Sequence, residues 1–200
     1  MLTRIAFSEL ILCWLLWVMT FVRSRARQAG QQAVVTAHSA RWGILLQGLG
    51  YGLVWGFPAV DWDILLGLRE SHQQGGGTGR ALLLLASMIL APWSVALVWF
   101  AVRHLGKQWR IQAGLSADHE LVQTGPYRLL RHPVYASMLG MLLATGLIWT
   151  WWPILAPALA VFLAGTEIRV RAEDRLLASR FGDSFGRYRS RVRAYIPLVR

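Results

Sequence analysis

The residues of this chain that could do polar chemistry gather in two blocks of its second half. The first runs from Gln112 through Asp118-His119-Glu120-Leu121-Val122-Gln123-Thr124-Gly125-Pro126-Tyr127 to Arg131-His132-Pro133-Val134-Tyr135. Thr124-Gly125-Pro126 marks a turn and Pro133 sits where a helix can begin, so free backbone N–H groups near residues 132 to 135 are expected to receive an anionic group. The second block is Glu167-Ile168-Arg169-Val170-Arg171-Ala172-Glu173-Asp174. On a helix Arg169 and Glu173 share a face, where an arginine can hold a carboxylate through two N–H bonds. By spacing alone, a surface ion pair with a snorkelling arginine is the plainer explanation, and His119 and His132 read by themselves as loop or capping residues. Five histidines scattered without a carboxylate cluster argue against a metal enzyme.

The elements that must position these blocks are apolar. Of 200 residues 55% are hydrophobic and eleven are Trp, above the roughly 45–50% apolar content of soluble domains. Crossing about 30 Å of hydrocarbon takes about 20 apolar residues. Ile5 to Val22 qualifies despite Glu9, as do Trp42 to Val60 and Ala81 to Val102, the last with a kink expected at Pro92. Val134 to Thr166 is uncharged for too long to be one ordinary span. Its centre, Trp149-Thr150-Trp151-Trp152-Pro153, combines interfacial aromatics with a helix breaker and predicts a hairpin. The fold class is therefore all-α: a polytopic membrane protein of about five transmembrane helices ending in a helical hairpin. It reads as one membrane domain over 1–200, with three scaffold helices in 1–102 and the chemical part in 103–200.

The net charge of +11 comes from residues placed between these stretches, a pattern foreign to nucleic-acid modules. Segments 23–41, 103–133 and 169–200 carry eighteen of the 21 basic residues, which puts them on the cytoplasmic side, the N-terminus outside and residues 61–80 in an external loop. Because Arg23, Arg25 and Arg27 follow the first apolar run, that run reads as a helix rather than a signal peptide. Gly48, Gly52 and Gly56 form a small-residue row suited to helix packing, and Gly75-Gly76-Gly77-Thr78-Gly79 reads as a linker, lacking the strand and Gly-Lys-Ser/Thr of a phosphate loop. Cys13, alone in an apolar run, has no disulfide partner. The segment Phe181 to Tyr188 with Arg187, Arg189, Arg191 and Arg193 is expected to lie on an anionic leaflet, the alternative being a second role as a lid over the site.

Together the blocks resemble the isoprenylcysteine carboxyl methyltransferase family, within the wider group that includes membrane phospholipid methyltransferases. The likeness rests on Gln112 through His119-x-Leu121-Val122-x-x-Gly125-x-Tyr127-x-x-x-Arg131-His132-Pro133-x-Tyr135, then Arg169-x-x-x-Glu173-Asp174, Phe181-Gly182, Tyr188 and Ile196-Pro197. It covers about the last 90 residues. The first hundred match only as apolar helices. Such proteins use S-adenosylmethionine without a Rossmann domain, in a pocket made by a cytosolic loop and the last helices. The resemblance implies that Gln112, His119, Glu120, Leu121, Val122, Tyr127, His132, Pro133, Val134 and Tyr135 line the cofactor site. It also places Arg169 and Glu173 beside the methyl acceptor. Asp174 and Ser137 depart from the family's usual Glu and Gly.

What the resemblance implies is a membrane methyltransferase acting on the carboxylate of a lipophilic small molecule or lipid. The short chain and the charge bias place it among membrane lipids, binding no nucleic acid, in the cell inner membrane with its site facing the cytoplasm. Three alternatives stand beside it: a phospholipid amine N-methyltransferase, an NADPH-dependent sterol-reductase-like enzyme, and a non-catalytic membrane adaptor.

Overall fold

The computed structural model describes residues 1–26, 35–36, 40–58, 78–110, 114–115 and 119–196. Its helices are α1 (Leu2–Ala26), α2 (Ala40–Gly56), α3 (Thr78–Leu105), α4 (Pro133–Trp149) and α5 (Trp152–Arg191). The all-α class and the C-terminal hairpin are as the sequence predicts. Leu2–Ser24, Thr78–Leu105 and Trp152–Phe181 are long and apolar enough to cross a membrane, so this is an integral membrane protein. At 17 residues each, α2 and α4 reach about 25 Å, short of the roughly 30 Å hydrocarbon layer. Among the described residues, then, three helices are long enough to be full spans and two are shorter, so the expected five spans are an approximate count. Pro92 lies inside α3, which continues through it.

The hairpin turns where the aromatic cluster predicts, for a different reason. Thr150 is extended, Trp151 caps α5, and Pro153 falls in the first helical turn, where its missing N–H costs nothing. Pro153 begins a helix instead of ending one. The turn is pinned to the end of α2: Trp149 donates its indole N–H to the Trp55 carbonyl at 3.2 Å and the Thr150 hydroxyl donates to the Phe57 carbonyl at 2.6 Å. Beyond it α4 packs along α3 and α5 along α2, with α1 covering α3.

Ala6, Leu10, Cys13 and Trp17 repeat at three- and four-residue steps and bury one stripe of α1 against Leu84, Ala91 and Val98 of α3 and Met141 of α4. Cys13 is a packing residue there. Buried donors are satisfied between helices, as lipid demands: the Trp17 indole N–H donates to Ser137 Oγ (2.8 Å), whose hydroxyl donates to the Ser94 carbonyl (2.9 Å). Ser137, a departure from the family pattern, therefore joins α1, α3 and α4.

The glycine row predicted to pack does not. Around Gly48, Gly52 and Gly56 there is nothing within 4 Å of where a Cβ would stand. The buried stripe of α2 is Ala40, Gly43, Gln47, Gly50 and Val54, so the facing glycines are spaced by seven, with Gln47 between. A Cβ on Gly43 would lie 2.6 Å from the Gly165 carbonyl oxygen and one on Gly165 would lie 2.7 Å from that of Gly43. The helices touch backbone to backbone.

All three basic segments meet at one end of the bundle. Val35–Thr36 pairs antiparallel with Gly114–Leu115, Ala40 packs on Ala172, and Leu130 bridges Arg193. The glycine-rich stretch expected in an external loop lies outside the described residues apart from Thr78 and Gly79, which open α3. Gly165→Leu is expected to cost about 1–3 kcal/mol through overpacking, whereas Gly52→Leu should leave stability unchanged; thermal unfolding in detergent measures both.

Candidate functional site

A cavity of about 300 Å³ opens at the basic end, at the lower limit of the roughly 300–1,000 Å³ common for small-molecule sites. Both sequence blocks face it. The loop before α4 contributes His119, Glu120, Leu121, Val122, Tyr127 and His132, α4 contributes Val134 and Tyr135, and α5 contributes Arg169 and Glu173. Pro133 starts α4 and is fully buried behind the wall, and Gln112 lies outside the described residues. The opposite wall is apolar, with Trp17 and Phe21 from α1 and Met138 from α4.

The loop is shaped by local rules. Gly125 has φ +58°, a left-handed conformation that glycine adopts without penalty, and a Cβ there would collide with the His104 ring at 2.3 Å. The Gly125–Arg128 turn that follows points Tyr127 into the cavity wall, and Tyr188 holds it by donating its hydroxyl to the Tyr127 carbonyl at 2.6 Å. Upstream, the Gln108 amide, with its N–H₂ turned towards the Glu120 carbonyl (2.5 Å), accepts from the Glu120 N–H (3.2 Å). The loop is tied at both ends.

His132 is the centre of the polar wall. Its Nε2 lies 2.9 Å from Asp174 Oδ1 and its Nδ1 3.2 Å from Glu173 Oε2. Only an imidazolium donates from both ring nitrogens. Burial opposes that charge, but the hydrogen bonds and charges of Asp174 and Glu173 outweigh it and raise the His132 pKa above its usual value. Arg131 forms a buried ion pair with Asp174 at 3.0 Å and donates to the carbonyls of Arg189 (3.2 Å) and Val192. Glu173 also accepts from the Tyr135 hydroxyl and lies 3.7 Å from Arg169 Nη2. Arg169 sits over the Tyr135 ring at 5.1 Å, a cation–π arrangement.

One expectation fails. The backbone N–H groups around residue 132 do not await an anion: Arg131 and His132 donate to the carbonyls of Arg193 and Ala194, each at 2.7 Å, and Tyr135 donates to the His132 carbonyl at 3.0 Å. The chain's own return strand takes the place of the ligand. The tail is accordingly more than a membrane-surface segment, since Phe185, Tyr188, Ala194 and Tyr195 are buried.

The buried polar atoms of the cavity wall without a partner among the described residues include His119 Nδ1 and the Tyr127 hydroxyl. Burial, with Arg110 and Arg180 adding to it, lowers the His119 pKa and keeps this imidazole neutral. Burial, helped by Glu173 and Tyr188, raises that of Tyr127, so its hydroxyl stays protonated. Each atom is a neutral hydrogen-bonding group facing the cavity wall, which is what a polar small molecule would satisfy.

Gln47, which touches Arg169 without lining the cavity, is a neighbour of the site that the sequence reading passed over. It is 2% exposed and donates its amide to Thr166 Oγ1 at 2.8 Å, while its carbonyl accepts from Arg169 Nη1 at 3.5 Å. The signal was available: an amide between Gly43 and Gly50 on the closest-packed face of an apolar helix. Asp174 was read only as a conservative replacement, although it anchors Arg131 and His132 together.

A cavity closed by a helical hairpin, a loop and a buried His–carboxylate cluster at the end of an apolar bundle defines a polytopic membrane protein with a polar site at one interface. The model of the isoprenylcysteine carboxyl methyltransferase (ICMT) family matches residues 84–179, which bears out the resemblance drawn from the motif residues. The chain is also 29% identical over 138 residues to the cobalt-zinc-cadmium resistance protein CzcN of Cupriavidus metallidurans, a match taking in 68% of this chain and 59% of that relative.

Asp174→Ala is expected to cost about 3–5 kcal/mol, the usual effect of removing one partner of a buried ion pair, read by chemical denaturation in detergent. Because the folded pKa of His132 is raised, its contribution to stability is complete below about pH 6.5 and is lost as pH climbs through the raised value. The gap in melting temperature between wild type and His132→Gln should therefore narrow in that direction, and a gap independent of pH would contradict a charged His132.

Proposed function

We propose that this protein is an integral membrane S-adenosylmethionine-dependent methyltransferase acting on a carboxylate of a lipophilic acceptor, with its site at the cytoplasmic face of the cell inner membrane. The observation that carries this reading is that both family motif blocks, far apart in sequence, line one cavity with a polar wall and an apolar one. S-adenosylmethionine, when bound, supplies a methyl group made electrophilic by its sulfonium.

His119 and Tyr127 would hold the cofactor's polar groups through their unpartnered buried atoms. Glu120, Leu121, Val122, His132, Val134 and Tyr135 would form the remaining wall, with Gln112 and Pro133 assigned by resemblance to the same site. Arg169 is the residue to orient an acceptor carboxylate, because its guanidinium lines the cavity over the Tyr135 ring and beside Glu173. Glu173 steers Arg169 while His132 and Tyr135 fix Glu173. Holding the reactants in line is a large part of what such a site must do, and proximity can contribute roughly 7–11 kcal/mol.

The state of Glu173 favours an acid acceptor over an amine. Methylating an amine calls for a base, yet the oxygens of Glu173 are engaged by Tyr135, Arg169 and His132. An ionised carboxylate needs no proton removed. Among the described residues no group of three His, Cys, Asp or Glu side chains is arranged to hold a metal ion.

Labelled S-adenosylmethionine incubated with purified protein and the total lipid extract of the source cell should yield a labelled lipid that releases its methyl group in mild base, as an ester does and a methylamine does not. Arg169→Ala should abolish transfer while retaining thermal stabilisation by the cofactor. Stabilisation by NADPH instead would establish the reductase alternative.

A further inference from the structure

A second cavity, larger than the candidate site, lies between α1 and α3 with a volume of about 710 Å³. Its length is apolar, walled by Leu16 and Met19 of α1 and by Val95, Trp99 and Phe100 of α3. These are side chains that the membrane-spanning reading of α1 and α3 turns towards lipid. The hydroxyls along it commit their protons to the backbone, since Thr20 donates to the Leu16 carbonyl at 2.9 Å and Ser24 to that of Phe21 at 2.8 Å.

One end is different. Arg23 from α1 and Arg103 from α3 both line the cavity there, both are exposed, and among the described residues neither has an acidic partner. Arg103 is laid over the Trp99 ring at 5.0 Å, which orders its guanidinium and leaves the N–H edge for hydrogen bonding. Both arginines sit in the last turns of their helices, where a cation is favoured. The only acidic residue of the two helices, Glu9, stands fourteen residues before Arg23, about 21 Å along the axis.

We propose that this groove binds one anionic phospholipid, its phosphate between Arg23 and Arg103 and an acyl chain along Leu16, Val95 and Phe100. The charge pattern selects the headgroup. Two guanidiniums receive a phosphate, and among the described residues no carboxylate lines the mouth to receive the ammonium of a zwitterionic lipid. The site is separate from the candidate methyltransferase cavity, although Phe21 and Leu105, which face that cavity, stand in the same helical turns as Ser24 and Val102, which line this one.

The test needs no activity. Delipidated full-length protein in neutral detergent is titrated with phosphatidylglycerol or phosphatidylcholine, and lipid retained after gel filtration is counted by mass spectrometry. One phosphatidylglycerol per chain is expected, at an affinity on the order of tenfold above phosphatidylcholine. The double variant Arg23→Gln, Arg103→Gln should lose that preference, and Ala96→Trp, which fills the groove from an exposed position, should lose retention of both lipids, each with an unchanged melting temperature in the absence of lipid. Equal retention of the two lipids, a preference that survives the double variant, or equally tight binding of glycerophosphoglycerol without acyl chains would overturn the proposal.

Discussion

Two carboxylates at consecutive positions of one helix, both turned into the protein, are the constraint around which the basic end of this molecule is arranged. Glu173 and Asp174 point about 100° apart around α5, the first to the cavity and the second to the returning tail. Burying either alone would be costly. His132 meets both, one through each ring nitrogen, and can do so only as a cation. A single imidazolium thus couples the cavity wall to the C-terminal segment. Arg131 adds the second positive charge on Asp174, and the sequence Arg131-His132 delivers both from neighbouring positions because the backbone there is paired with residues 193 and 194.

That pairing explains the tail. A basic, aromatic segment at a membrane surface has an obvious role in touching anionic lipid, and Arg187, Arg189, Arg191 and Arg193 remain on the outside to do so. What the segment does inward is mechanical. Gly182, at φ +50°, breaks the long α5 and lets the chain turn back so that Phe185 and Tyr188 are buried. The return strand then occupies backbone donors that would otherwise be open at the start of α4. The loop bearing Tyr127 is fixed by the same segment through the Tyr188 hydroxyl.

How far the sequence foretold this depends on which physical signal each feature leaves. Long uncharged runs leave an unmistakable one, so α1, α3 and the hairpin were legible to within a few residues, as was the common end of the basic segments. Residues that cluster by type in the chain, such as His119 to Tyr135 and Arg169 to Glu173, were legible as a group, and they face one cavity. Register was not legible. Four-residue glycine spacing pointed to Gly48, Gly52 and Gly56, but which stripe of a uniformly apolar helix is buried depends on its neighbour, and Gly43 and Gly50 face α5 because Gly165 lies opposite. Gln47 was hidden in the same way, since its meaning arises only when Arg169 is brought beside it. The tail's backbone pairing left no side-chain signature at all.

The position of Gln47 shows how this bundle reconciles two environments. Thr166 commits its hydroxyl to the Phe162 carbonyl one turn earlier, so its oxygen can only accept from the Gln47 amide, and the Gln47 carbonyl must then face Arg169. The orientation of that amide is set by a backbone group on the apolar side and read out by a guanidinium on the polar side. Gly43 makes room for it, because a Cβ there would overlap Arg169 Cγ. The scaffold half of the chain, which carries none of the family's motif residues, therefore still determines where the central cation of the candidate site stands, and substitutions on the inner face of α2 belong to the chemistry of the site as much as to the packing of the fold.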